Sequence, residues 1–334
     1  MGTKLSTQSY IRARYRPSSK RPSTANSHSA SHLDNFDNKK QISSSTSFDK
    51  FTRSQPLYRQ VSTTHMDTDS RFGHSPRELD EDRMNATHFA LKALFGANFL
   101  NTVQQTIDFD SKSTRVLDVG CGTGTWIMDM ATEFPNTEFV GIDRVHIFPA
   151  AIRPPNATFK LVDVRDGLPF EDNTFDLVNT RLFLLDLTAT LWPEFIKEVL
   201  RITKPGGILQ MMELQIMDEG DEVVQEFCSK MEQMMLKEDL DPRICEKMGN
   251  LISKNGFIPK EEVAKAVPLK GHVLSDEFIY VLDIIFDIAR LVAYNTYDLS
   301  SESEYQSVKK RYIQSRKQST DVKWWWIAGQ KPMA

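Results

Sequence analysis

Between residues 86 and 334, apolar positions alternate between two textures. Short apolar runs of about five residues recur at Arg115–Val119 (RVLDV), 138–142 (EFVGI), 158–162 (TFKLV), 175–179 (FDLVN) and 208–212. Their length and their bounding turn residues predict buried β-strands. Between them lie stretches with apolar residues three and four apart, the spacing of one helix face, at 125–134 and 193–203. Ahead of the first strand, Phe89, Leu91, Leu94, Phe95 and Phe99 keep the same spacing and predict a helix over 86–100. Strands alternating with helices imply right-handed crossovers and a parallel sheet covered on both faces, hence a doubly wound α/β domain.

Beyond residue 220 the texture becomes mostly helical. Residues 221–255 place Cys228, Met231 and Met235 on one helix face, 275–293 predict a second helix, and Ser301 with Glu304 forms a capping box opening a third. Trp324, Trp325, Trp326 and Ile327 then read as a final strand, with large apolar groups on both faces as burial between helical layers requires. These helical elements, about 221–255 and 275–315, are where a substrate-selecting lid is expected.

The first 76 residues carry neither texture. Residues 1–70 hold 15 Ser, 8 Thr and a net charge of +6, so the whole-chain charge of −4 conceals a body of −10. Such a segment buries too little apolar surface to offset the ordering of its backbone. The expected organisation is a disordered basic arm over 1–76 and a folded domain over 77–334. Arg12, Arg14, Arg16, Lys20 and Arg21 cluster within the arm, and Met1-Gly2-Thr3-Lys4-Leu5-Ser6 fits the pattern for myristoylation at Gly2. One acyl chain with a basic patch is a two-part signal for peripheral membrane contact; a solvated, phosphorylatable tail is the competing reading. No apolar run reaches the length of a membrane span and no secretory signal opens the chain, so a cytoplasmic location is expected, with nuclear or peripheral membrane placement as alternatives. Cys121, Cys228 and Cys245 are widely spaced and match neither a zinc site nor a disulfide framework, so reduced thiols and no metal are expected.

The densest chemical signal is Val116-Leu117-Asp118-Val119-Gly120-Cys121-Gly122-Thr123-Gly124, between a strand and a helix. Glycines there let a ligand approach the backbone at a helix N-terminus. The G-x-G-x-G spacing differs from the G-x-G-x-x-G of dinucleotide sites, and the Asp118 carboxylate beside the turn suits a cationic ligand rather than a pyrophosphate.

DVGCGTG resembles the first motif of class I S-adenosylmethionine-dependent methyltransferases. Further motifs follow in order: GID ending at Asp143, Asp163-Val164 after the third strand, LPF with FD at 168–170 and 175–176, and Lys204-Pro205-Gly206-Gly207 before strand five. Arg83, His88 and LKALFGANFL, with EFPNTEFVGID, FKLVDVRDGLPF and the closing WIAGQKP, resemble more narrowly the fungal LaeA-like methyltransferases, which include regulators of secondary metabolism. The resemblance implies a Rossmann-like, mostly parallel seven-stranded sheet with a helical insertion before the last strands, and S-adenosyl-L-methionine as cofactor. It implies cofactor-binding roles for Asp118, Gly120, Cys121, Gly122, Thr123, Gly124, Asp143, Arg144, Asp163, Val164 and Asn179. Asp118 is expected near the ammonium group, Asp143 on the ribose hydroxyls, Asp163 on the adenine amino group, and the Val164 amide on a ring nitrogen.

A cofactor with a sulfonium-activated methyl leaves the protein to hold an acceptor in line and exclude water. A general base is optional; Glu213, Arg181 and His146 are the catalytic candidates, with a surface or supporting role as the plainer reading of Glu213. The end of strand four, Asn179-Thr180-Arg181-Leu182, lacks the N-P-P-[YF] motif of amino-directed DNA methyltransferases, and an acidic body disfavours duplex nucleic acid. A small organic acceptor, a secondary metabolite or lipid-like molecule, is expected. The alternative is a regulator or protein methyltransferase that works through a protein partner.

Overall fold

A computed structural model describes residues 76–216, 220–288, 290–319 and 321–333. The N-terminal arm and Gly2 lie outside the described residues. The elements run α1 (Pro76–Phe95), α2 (Asn101–Thr106), β1 (Arg115–Val119), α3 (Thr125–Glu133), β2 (Glu138–Asp143), β3 (Ala157–Leu161), β4 (Phe175–Arg181), α4 (Trp192–Ile202) and β5 (Thr203–Gln215). They continue with α5 (Glu222–Lys237), α6 (Met248–Lys254), β6 (Ile258–Pro268), α7 (Ser275–Ile288), α8 (Arg290–Tyr297), α9 (Glu302–Ser319) and β7 (Asp321–Gln330).

The seven strands form one sheet in the order β3-β2-β1-β4-β5-β7-β6. Strands β1 to β5 pair in parallel, while β7 runs antiparallel to both β5 and β6. Consecutive residues of a strand feed opposite layers, as the period of two demands. Val116, Leu177, Ile208 and Met212 pack with Trp324 and Trp326 against α1, α3 and α7. Leu117, Val178, Leu209 and Met211 pack with Ile327 against α4 and α6. A third apolar cluster, around Phe227, Phe286, Tyr305 and Tyr312, joins α5, α7, α8 and α9. The doubly wound reading therefore holds.

Several boundaries move. The first helix begins ten residues early and ends at Phe95, before Gly96 at φ +78°. Strand β4 extends to Arg181, so Asn179 is inside it. Strand β5 spans thirteen residues, which places Glu213 within the strand rather than after it. The helix expected over 275–293 is matched by helical residues on both sides of position 289, described as α7 and α8. Strand β6 matches no expected strand: IPKEEVAKAVP is an edge strand with mostly exposed side chains, so its residues lack the apolar run of the inner strands. The capping box of α9 is present, with Glu304 N–H donating to Ser301 Oγ at 3.3 Å and Ser301 N–H to Glu304 Oε2 at 3.2 Å.

The closing WIAGQKP segment clamps the turn before β5. Gly206, at φ +77°, donates its N–H to Lys331 O, and Lys331 N–H donates to Gly207 O at 2.9 Å. The Lys331 ammonium then donates to Leu200 O at 2.7 Å, Thr203 O at 2.8 Å and Asn173 Oδ1 at 2.8 Å, which satisfies carbonyls at the end of α4. All three cysteines are buried free thiols. Among the described residues no helix is long and apolar enough to cross a membrane, and no cluster of ligating side chains could hold a metal.

Candidate active site

In an open parallel sheet, ligands bind outside the carboxyl ends of the strands where the strand order reverses. Here that point lies between β1 and β4, and the glycine turn rises from β1 beside it. Gly120, Gly122 and Gly124 have φ of +68°, +53° and +72°, a left-handed region costly for other residues. A Cβ at Gly122 would lie 2.8 Å from Met84 Sδ, one at Gly124 2.6 Å from the Phe159 ring, and one at Gly120 would collide with the Phe183 ring. The turn is thus a cradle that bare backbone alone can form.

Asp143, at the end of β2, reaches across to this turn. Its Oδ2 accepts from Gly122 N–H at 2.9 Å and its Oδ1 from Val145 N–H at 2.8 Å. Arg144 next to it pairs with Asp186 at 3.0 Å. Thr123 and Thr125 hydroxyls share Asn85 Oδ1 and each other, tying helix α1 over the turn. Cys121 is buried, and that burial pushes its thiol well above the ordinary value, so it fills the turn and is no thiolate nucleophile.

Asp118 sits one register step inside the sheet, opposite Gly141 on β2 and Asn179 on β4. It is only 2% exposed. Asn179 Nδ2 donates to its Oδ1 at 2.7 Å, and no donor among the described residues reaches its Oδ2. Burial pushes its carboxyl up to about 6, against the opposing pull of Arg181 and Asn179. A partly unsatisfied buried carboxylate next to a glycine cradle is what a cationic ligand would neutralise.

The polar chain continues from Asn179. Gln210 Nε2 donates to Asn179 Oδ1 at 2.8 Å, and Gln210 Oε1 accepts from Leu100 N–H at 2.9 Å. On the other side, Arg181 Nη1 lies 3.4 Å from His88 Nδ1, whose Nε2 meets Asp129 Oδ2 at 3.1 Å. Because a carboxylate only accepts, His88 donates from Nε2 and accepts at Nδ1. Asp129 also accepts from Lys92 at 2.6 Å and from Asn98 at 2.8 Å. Burial raises Asp129, but these donors outweigh it and hold the carboxyl below the ordinary range. Burial drops His88 to about 4, so its imidazole is neutral. Gln210, Asn98 and Asp129 were not expected in this network; their partners lie 28 to 112 positions away in sequence, beyond the reach of any local pattern.

The remaining candidates have different settings, Asp163 and Val164 following β3 beside the end of β2. Glu213 is buried in β5 and takes the loop after β4: Phe183 N–H donates to its Oε1 at 2.7 Å and Leu184 N–H to its Oε2 at 3.2 Å. Both oxygens are thereby committed to holding Phe183 across Gly120, which corrects the surface reading. Burial pushes Glu213 up to about 8. His146 is exposed, with its ring edge-on to Phe148 at 4.8 Å. Asp163 is gripped by the Arg165 guanidinium and by Arg165 N–H at 3.1 Å, and these hydrogen bonds hold its carboxyl low. Val164 begins the short 3-10 turn that follows. The structure thus gathers Asp118, the glycine turn, Asp143, Asn179 and Arg181 at the strand ends. It leaves Glu213 on the opposite face of the sheet.

Residues 110–256 match the family model described as a methyltransferase domain. The chain is 32% identical over 142 residues to the "Secondary metabolism regulator laeA" of Coprinopsis cinerea, aligning 42% of this chain and 35% of that protein. It is 33% identical over 136 residues to "N-methyltransferase verN" of Clonostachys rogersoniana, aligning 40% of this chain and 46% of that protein. The chain thus spans less than half the length of these relatives. Among solved structures, a Haemonchus contortus phosphoethanolamine N-methyltransferase 2 complex with phosphomonomethylethanolamine and S-adenosylhomocysteine matches at 19% identity. It covers 78% of this chain and 61% of that one, with a TM-score of 0.45.

Proposed function

We propose that this chain, a member of the class I S-adenosylmethionine-dependent methyltransferases of the LaeA-like group, methylates a small organic acceptor held beside the carboxyl ends of β1 and β4. The observation that carries the reading is the pairing of a glycine cradle with two carboxylates of unlike setting: Asp118, buried with an oxygen that takes no donor among the described residues, and Asp143, fixed at the edge of the turn. This pair of acceptors fits S-adenosylmethionine, whose cationic amino-acid end and ribose diol call for carboxylates at two separate points.

The bound cofactor supplies an activated methyl group. Gly120, Gly122 and Gly124 admit it to the backbone, Asp143 would accept from the ribose hydroxyls, and Asp118 would face its ammonium. Helix α1 lies against the turn through Met84 and Asn85 and would shield a bound cofactor from water. Among the described residues the carboxylates gathered at the strand ends are already engaged, Asp118 by Asn179 and Asp143 by the Gly122 and Val145 amides, so neither is placed as a dedicated base. An acceptor that is nucleophilic in its resting state, such as an amine, suits such a site. The name of the Clonostachys relative is consistent with nitrogen as the acceptor atom.

The test is methyl transfer from labelled cofactor into fungal extract by wild type and Gly122→Arg, with metabolite profiling of strains carrying each. Labelled small molecules that vanish with the variant support the reading. Label confined to protein would favour a protein methyltransferase. A second reading, a regulator acting through a partner, is favoured by the Coprinopsis relative; a Gly122→Arg strain with intact cellular function would support it. The acidic body over 71–334 makes a duplex nucleic acid partner unfavourable. For the arm we propose a cytoplasmic protein that contacts membranes peripherally through acylated Gly2, which mass spectrometry of the native N-terminus would check.

A further inference from the structure

Arg181 is the unexplained charge of the site. It ends β4 two residues after Asn179, so its side chain leaves the sheet on the same face as Asn179 and Asp118, from the strand adjacent to β1. It is neither sealed in nor exposed. Among the described residues its sole hydrogen-bond partner is His88 Nδ1, at 3.4 Å, although a guanidinium offers five N–H donors in a planar fork. Among the described residues no carboxylate pairs with it directly: Asp118 Oδ1 is taken by Asn179, and Asp129 is taken by His88, Lys92 and Asn98. A carboxylate and a guanidinium therefore stand side by side, each with capacity left over. An α-amino acid zwitterion has the matching pair of charges.

We propose that Asp118 and Arg181 form a two-point clamp for the amino-acid end of the cofactor, Asp118 taking the ammonium and Arg181 the carboxylate, with His88 and Asp129 positioning Arg181. The proposal rests on the cofactor assignment above and moves Arg181 from a candidate in catalysis to one in recognition. His88 suits the positioning role: its Nε2–H is committed to Asp129, so Nδ1 is held as an acceptor toward Arg181. Burial keeps the imidazole neutral, so it does not repel the guanidinium.

The test is calorimetric binding by the full chain of two probes, S-adenosylmethionine and its decarboxylated analogue, which keeps the ammonium and lacks the carboxylate. Wild type is expected to prefer S-adenosylmethionine. Arg181→Met is expected to lose about tenfold or more for S-adenosylmethionine and to bind the analogue within twofold of wild type. Asp118→Asn is expected to lose affinity for both probes. Asp129→Asn, which touches neither probe, is expected to repeat the selective loss of Arg181→Met at smaller size. Equal losses for both probes in Arg181→Met, or no loss for either, would overturn the clamp. Should Arg181→Met fold poorly by circular dichroism, Arg181→Lys keeps the charge without the fork and is expected to show a smaller but still selective loss; a loss shared by both probes would again overturn it. If wild type binds neither probe, the cofactor assignment itself falls, an outcome distinct from the other failures.

Discussion

Glu213→Gln isolates what a buried carboxyl does for the loop that covers the glycine turn. Gln keeps one acceptor oxygen for Phe183 N–H but offers an NH2 group to Leu184 N–H, so one buried amide loses its acceptor. A buried donor left unsatisfied costs about 1–3 kcal/mol. Against this stands the wild-type carboxyl itself, raised by burial from 4.5 to about 8. Between those values the folded chain holds a proton that the unfolded chain has released, so wild-type stability falls as pH rises, by about 1.4 kcal/mol per pH unit. The fall is complete above pH 8 and absent below pH 4.5. Across the interval it amounts to about 3–5 kcal/mol, and Gln, which does not titrate, escapes it. The expected result in urea denaturation is a sign change: the variant is less stable than wild type at pH 5 by about 1–3 kcal/mol, and as stable or more stable at pH 9. Asp186, also raised by burial to about 6, titrates in both chains, and its charge adds to the burial that raises Glu213. A stability difference that stays constant from pH 5 to pH 9 would refute the reasoning.

Asp143→Ala removes the acceptor of both Gly122 and Val145 amides together with the expected ribose contact; charge-assisted bonds of about 1.5–3 kcal/mol make a loss of about tenfold or more in cofactor affinity the expected outcome. Unchanged calorimetric binding would sink the assignment. Gly122→Arg forces a side chain into φ +53° with its Cβ 2.8 Å from Met84 Sδ, so cofactor binding should disappear while circular dichroism still reports a folded domain; retained affinity would show that the cradle is not the site. Lys331→Met strips the carbonyls at the end of α4 of their ammonium. At about 1–3 kcal/mol and about 2–4 °C per kcal/mol for a domain of this size, Tm should fall by several degrees with cofactor affinity intact, and an unchanged Tm would contradict the clamp at the turn.

Sequence spacing reaches as far as interactions local in the chain. The glycine turn was legible because strand, turn and helix are contiguous, and left-handed backbone at three alternate positions requires glycine. The inner strands were legible because burial on both faces leaves an apolar run. Strand β6 was not, because an edge strand with polar side chains on most positions carries neither signal, and Glu261, Glu262 and Lys265 read as readily as helix.

The site divides along the same line. Asp118 and Asp143 follow from their motifs, but the meaning of Asn179 changes once Gln210 is seen behind it: the amide is fixed from both sides, by Asp118 at 2.7 Å and Gln210 at 2.8 Å. An Asn held in this way cannot also rotate to serve a substrate without breaking a buried bond, at a cost of about 1–3 kcal/mol. Its physical role is to hold Asp118 by one oxygen, leaving the other without a donor among the described residues. The same logic runs through Asp129 and His88 to Arg181. The buried chain behind the site spends its hydrogen bonds on orienting two opposite charges, and those two charges are what remain available to a ligand.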